Sequence, residues 1–213
     1  MNTLIIDCSA GMSVYLICGE KEFSKIDNNQ KKHTDELLLC VDELLNQAKI
    51  SVSEIENLCV CVGPGSFTGI RVAISICKGL AVASKMKIFT ATNFDILQAV
   101  KSEKVIYVLE GFSKFVYVRK IENGKVSDDC VDVNQLIDMV KNSNYDIYVQ
   151  NEKMQNILKN AEILSNIAQN QIILHFLDKI NNNQSVELNT IEPVYLRASQ
   201  AEMERNKKLA GGE

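Results

Sequence analysis

A short apolar run at 3–8, a second strand-like run at 13–18 and a more polar stretch at 21–26 predict a β-hairpin extended by a third antiparallel strand. The turn Ser9-Ala-Gly-Met12 places Asp7 at the mouth of that hairpin. The period then changes. Over 33–48, Leu37, Cys40, Val41, Leu44 and Ala48 share one side of a helix, and Leu38 and Leu45 widen the stripe to about 160°. Two readings stay open at this point: a helix wedged deep in its own core, or one that serves its sheet on one side and a partner on the other. Ser51-Val-Ser-Glu54 fits a capping box ahead of a strand at 58–62. Residues 69–84 are apolar almost all round, with only Arg71 and Lys78 charged, as expected of a helix that is internal or covered by another chain. A strand at 86–90 and a helix at 93–102 complete a first lobe, 1–102, bounded by the charged Lys101-Ser-Glu-Lys104.

The second half repeats this order without a residue-level repeat. Strands are expected at 105–110, 115–121 and 125–130, then a helix at 133–141, a strand at 145–149 and a helix at 152–160. Residues 163–188 read as a helix carrying His175, a structural residue on a mostly apolar element, followed by a polar loop. These define a smaller C-terminal lobe, 103–190, and a terminal segment, 191–213, whose charged end from 199 reads as a solvated helix end.

Composition narrows the function. The 213 residues are 46% hydrophobic and carry 23 Lys and Arg against 27 Asp and Glu, a net charge of -4. That balance argues against a chain that holds nucleic acid by neutralising phosphates alone. Seven cysteines without a CxxC pair fit a reducing cytoplasm, and Cys59 and Cys61, two apart on a strand, read as buried thiols on one face. His33 and His175 form no metal-ligand pattern, so no metal site is expected. No basic, apolar leader opens the sequence, and no run approaches the ~20 apolar residues of a membrane span.

Three of the ten glycines fall between Gly63 and Gly69, in Gly63-Pro-Gly-Ser-Phe-Thr-Gly-Ile-Arg71. A Gly-rich turn from a buried strand into a helix aims backbone amides and the positive helix end at one place, which suits an anion. It is not a Walker A loop, since no Lys followed by Ser or Thr comes after Gly69, and Gly65 and Gly69 are one residue too far apart for a dinucleotide fingerprint. The loop's candidate anion or nucleotide contacts are Gly63, Gly65, Ser66, Thr68, Gly69 and Arg71, beside the alternative that the glycines serve a tight turn and close helix packing.

The string from Gly63 to Arg71, the opening Leu4-Ile-Ile-Asp-Cys-Ser9, His33-Thr-Asp-Glu-Leu-Leu-Leu39 and Pro193-Val-Tyr-Leu-Arg197 together resemble the TsaB family, also called YeaZ. The resemblance implies an α/β, two-lobed fold of the actin/Hsp70-like (ASKHA, RNase H-like) ATPase superfamily in reduced form. It also implies a cytoplasmic, non-catalytic subunit needed to make threonylcarbamoyladenosine, the modified base beside the anticodon of tRNAs that read codons beginning with A. In that family the partners are the transferase TsaD and the ATPase TsaE, and tRNA is met only through the complex. The two apolar helices are then expected to pack on TsaD, or on a second copy as a homodimer, through His33, Leu37, Leu38, Val41, Leu45, Ile70, Ala73, Ile74 and Cys77. ATP or ADP at or near that interface is the cofactor that the Gly-rich loop, joined by Asp7 and Ser9 to complete the candidate anion or nucleotide set, would meet. The chain departs from the superfamily's nucleotide cleft in two ways. The counterpart of Asp7 would be Glu110 in Glu110-Gly-Phe112, and the adjacent Gly pair is Gly211-Gly212 in the last three residues. The competing functions are a small ASKHA-type ATPase or kinase, built on Asp7 and Glu110, and a homodimeric binding module without a link to tRNA.

Overall fold

A computed structural model describes residues 1–27, 33–97, 103–141, 143–163 and 168–196. The first sheet is formed by β1 (Asn2–Asp7), β2 (Met12–Cys18), β3 (Lys21–Asp27), β4 (Asn57–Cys61) and β5 (Lys87–Ala91), in the order β3-β2-β1-β4-β5. The first three strands are antiparallel neighbours, whereas β4 runs parallel to β1 and β5 parallel to β4. Helices α1 (His33–Ala48), α2 (Phe67–Ala83) and α3 (Asn93–Leu97) lie between or after these strands.

Strand periodicity decides which residues meet which helices. Leu4, Ile6, Val14, Leu16, Leu58 and Val60 share a core with Leu37, Cys40, Val41 and Leu44 of α1 and with Ile70, Ala73, Ile74 and Cys77 of α2. The alternate positions Ile5, Tyr15, Cys59, Cys61 and Phe89 form a second core on the other face. Every residue of β4 is buried, as expected of a central parallel strand covered on both sides. The expected capping box is present: the Ser51 backbone N donates to the Glu54 carboxylate at 2.8 Å, and the turn Val52–Glu54 delivers the chain into β4.

The second sheet repeats the first. It contains β6 (Lys104–Glu110), β7 (Phe115–Glu122), β8 (Lys125–Asp132), β9 (Asp146–Val149) and β10 (Glu162–Ile163), with α4 (Val133–Val140) after β8 and α5 (Glu152–Ile157) after β9. Its order β10-β9-β6-β7-β8 has the connectivity of the first sheet, with the same antiparallel and parallel pairings. Ile106, Val108, Val116, Val118 and Val149 pack against Leu136 of α4 and Met154 of α5. Across β7 and β8, Arg119 donates to both oxygens of its register partner Asp128 at 2.6 Å each, which satisfies a guanidinium that is only 7% exposed.

Three features depart from the expected layout. The two-residue strand β10 has no counterpart in the expected elements. More importantly, the lobe 103–190 does not hold together as one unit: helix α6 (Ala168–Asn181) and the segment that follows it to Val194 belong with the first sheet. Ile172, Ile173 and Phe176 of α6 fill the core around Ile5, Cys59 and Phe89. The cause is the buried second face of the first sheet, which the short α3 shares with α6. The terminal segment 191–213 is likewise divided, because Ile191 is 2% exposed in the first core and the Val194 N donates to the Val62 carbonyl at 2.8 Å. The charged end 199–213, Gly211-Gly212 among it, lies outside the described residues.

Candidate functional site

The Gly-rich loop runs from the carboxyl end of β4 into α2 and lies against the β1–β2 turn. The Ser66 backbone N donates to the Ser9 carbonyl at 2.6 Å, and the Ser66 hydroxyl accepts from the Gly69 N at 3.2 Å, an N-cap for α2. The Ile70 N closes the first helical bond to the Ser66 carbonyl at 3.0 Å. A Cβ at Gly65 would stand closer than 3.0 Å to the Ser9 carbonyl oxygen, and one at Gly69 closer than 3.0 Å to that of Cys8. Gly63 adopts φ +104°, a left-handed conformation that favours glycine. The loop therefore presses on the hairpin turn as a clamp, with the amides of Ser66, Gly69 and Ile70 all engaged inside the protein.

Of the predicted anion set, the fold brings together Asp7, Ser9, Gly63, Gly65, Ser66 and Gly69. Thr68 is exposed, and the exposed Arg71 lays its guanidinium over the Phe67 ring, 4.2 Å from the centroid. Two further residues complete the cluster. Asn93 donates its backbone N to the Gly63 carbonyl at 2.8 Å and its side-chain Nδ2 to the Pro64 carbonyl at 2.7 Å, while its Oδ1 accepts from the Cys61 thiol at 2.9 Å. The sequence marks Asn93 only as a helix start and Cys61 only as a buried thiol. Their roles arise from the parallel pairing of β4 with β5, which sets their carboxyl ends side by side.

Asp7 sits at the end of β1 and accepts from the Ser9 backbone N at 2.8 Å. Burial raises its pKa above the usual carboxylate value, against smaller lowering contributions from its hydrogen bonds to Ser9 and Cys61. A carboxyl whose folded value exceeds its unfolded value of 3.8 adds stability while protonated. That contribution is complete below 3.8 and is lost as pH rises through the raised value. Asp7→Asn is therefore expected to melt above the parent at pH 7, with the gap narrowing as pH falls toward 3.8. Scanning fluorimetry across that range checks it, and a gap independent of pH would show that burial does not govern this carboxyl.

Glu110 occupies the matching place at the end of β6, and its environment is the reverse. It pairs with Lys153 and accepts from Asn151 Nδ2 at 3.0 Å, and its backbone N donates to Gln150 Oε1 at 2.9 Å. The Lys153 ammonium holds its carboxyl below the ordinary value. The loop after β9 thus closes on the second hairpin through charged and amide side chains, where the loop after β4 closes through glycines. Burial pushes the Cys8 thiol up to about 12 and those of Cys59, Cys61 and Cys77 upward as well, so none is a ready nucleophile at neutral pH. Among the described residues no cluster of His, Cys, Asp and Glu could hold a metal ion. His175 packs edge-on to Phe176, and burial lowers its pKa, in keeping with a structural residue.

The predicted partner surface changes more. Leu37, Val41, Leu45, Ile70, Ala73, Ile74 and Cys77 are buried in the first unit's own core and present no free surface. Leu38 alone of the set is exposed, at 53%, and the His33 side chain lies outside the described residues. The apolar side chains that do face outward are Leu38 and Leu39 on α1 and Val82 on α2, the last two 61% and 75% exposed. Ser75, Gly79 and Ala83 of α2 are also exposed, and a Cβ at Gly79 would meet nothing within 4 Å. Of the seven positions in the apolar stripe of α1, only Leu38 turns outward; Leu45, at its other wide position, stays in the core. Among the described residues no helix is long and apolar enough to cross a membrane.

Residues 24–161 match the family model described as TsaD, tRNA N6-adenosine threonylcarbamoyltransferase. The chain is 31% identical over 127 residues to the tRNA threonylcarbamoyladenosine biosynthesis protein TsaB of Buchnera aphidicola, a match covering 57% of this chain and 56% of that protein. It is 30% identical over 108 residues to TsaB of Haemophilus influenzae, covering 47% and 44%. These matches span about half the length of either relative. Among solved structures, YeaZ from Pseudomonas aeruginosa superposes with a TM-score of 0.69 at 20% identity, over 92% of this chain and 99% of that one, which establishes a shared fold. With the family match covering more than half of the sequence, and with the loop and the doubled sheet in place, the chain belongs to the TsaD-type threonylcarbamoyltransferase family, in its TsaB (YeaZ) group.

Proposed function

We propose that this chain is a non-catalytic subunit required for threonylcarbamoyl transfer to the adenosine beside the anticodon of tRNAs reading codons that begin with A. In this reading it works in the cytoplasm, binds and supports the transferase TsaD together with the ATPase TsaE, and meets tRNA only through that complex. The observation that carries the proposal is the match to relatives named as TsaB biosynthesis proteins. The outward apolar residues Leu38, Leu39 and Val82 support a partner-binding role, because fully burying such a side chain contributes about 1.5–3 kcal/mol. In the absence of TsaD the same face serves self-association as a homodimer.

Two features support a supporting rather than a catalytic role. The Glu110 carboxylate is held by Lys153 and Asn151, and the Gly-rich loop directs three of its amides at the protein itself. The loop's part is then to fix the β1–β2 turn beside α2. Reconstitution tests the proposal: omitting this chain from a mixture of TsaD, TsaE and substrate tRNA is expected to abolish modification. Undiminished modification without it would contradict the proposal. ATP turnover by the isolated chain that disappears in Asp7→Asn would favour the small ATPase instead.

A further inference from the structure

A cavity of about 300 Å³ opens at the carboxyl ends of β4 and β5, under the segment that returns from α6. Its polar lining is Thr90, Thr92, Asp95, Lys179, Thr190 and Glu192. Several of these groups are already engaged. Asp95 accepts from the Thr92 N at 2.9 Å while the Thr92 hydroxyl accepts from the Asp95 N at 3.1 Å, and the Thr190 hydroxyl donates to the Glu187 carbonyl at 2.8 Å. Lys179 and Glu192 are different. Among the described residues neither side chain makes a hydrogen bond or an ion pair, although both line the same space. With the Asp95 carboxylate turned onto the Thr92 amide, Lys179 and the exposed Glu192 are the opposite charges left along this cavity, and they do not close on each other.

The cavity's place in the fold has independent weight. The cavity lies beyond the carboxyl ends of β4 and β5, the side of an open α/β sheet on which ligands collect, one strand over from the switch point between β1 and β4. The covering segment is fastened rather than loose: the Val194 N donates to the Val62 carbonyl and the Val186 N to the Ile88 carbonyl, both at 2.8 Å. A volume of about 300 Å³ is at the small end for ligand pockets and suits a molecule of few heavy atoms.

We propose that this cavity binds a small zwitterion, an α-amino acid with a short side chain, its carboxylate on Lys179 and its ammonium on Glu192. The charge pattern selects the class. A simple anion would leave Glu192 uncompensated beside it, and a simple cation would meet Lys179 in the same way, whereas a zwitterion answers both. The site is separate from the partner surface and does not depend on the function proposed above.

The test is calorimetric titration of the full chain with L-alanine and L-serine, with acetate and methylammonium as single-charge controls. Saturable binding of either amino acid is expected, at least about tenfold tighter than either control, and weakened about tenfold or more by Lys179→Met and by Glu192→Gln. Melting curves of the two variants should match the parent; if either unfolds, the comparison of amino acids with the two controls on the parent decides by itself. Absence of saturable amino-acid binding, equal binding of acetate or methylammonium, or affinity unchanged in two folded variants would overturn the proposal.

Discussion

Replacing Gly69 by alanine is expected to destabilise the first unit by about 3 kcal/mol, the upper range for forcing one extra carbon into a packed site. The added methyl would have to occupy space held by the Cys8 carbonyl oxygen, a backbone atom fixed in the β1–β2 turn, so no side chain can swing aside to admit it. For a chain of this length the loss corresponds to a fall in Tm of roughly 6–12 °C. Gly65→Ala acts in the same way through the Ser9 carbonyl. Gly79→Ala is the matched control: it lies on the exposed side of the same helix with open space around it, and alanine there is expected to raise stability by about 0.5–1 kcal/mol. Thermal melts of the three variants separate a loop that clamps the hairpin from one that is merely flexible. Gly69→Ala melting like the parent would contradict the clamp.

The second large effect distinguishes surface from core on one helix. Leu38→Glu is expected to leave the melting temperature near that of the parent while weakening association with TsaD by roughly 30-fold or more, as a central apolar contact does when replaced by a charge. Leu45→Glu should do the opposite kind of damage. Its side chain is 6% exposed in the core beneath α1, and an unpaired carboxylate there costs several kcal/mol, enough to lower Tm by about 10 °C or more. Sizing-column and melting measurements on both variants read the two effects separately. A folded Leu38→Glu chain that still co-elutes with TsaD would show that the outward face of α1 is not the docking surface.

Much of the fold is legible in the sequence because local period and burial agree. The strand β2, the bounds of α1 at His33–Ala48 and the capping box at Ser51 all follow from side-chain pattern within a few residues. The doubled strand order is legible too, since each half rebuilds a sheet with the same succession of elements. What escapes is long-range. Chain order alone assigns α6 to the second lobe, yet a β4 buried at every position requires a layer on each face, and Ile172, Ile173 and Phe176 answer that need from more than a hundred residues away. The site divides in the same way. The Gly63–Arg71 string marks the loop, but whether its glycines cradle a ligand or yield space to a neighbouring backbone depends on Cys8 and Ser9, which the sequence places far upstream. The breadth of the apolar stripe on α1 likewise could not separate Leu45 from Leu38, because a wide stripe is equally that of a deeply set helix and of one shared with a partner.

The central claim, that this chain supports threonylcarbamoyl transfer to tRNA, is tested most directly by depleting it in the cell and measuring threonylcarbamoyladenosine in bulk tRNA by mass spectrometry. The account predicts that the modified nucleoside falls steeply and returns when the full chain is restored. A level that stays at that of the undepleted cell would contradict it.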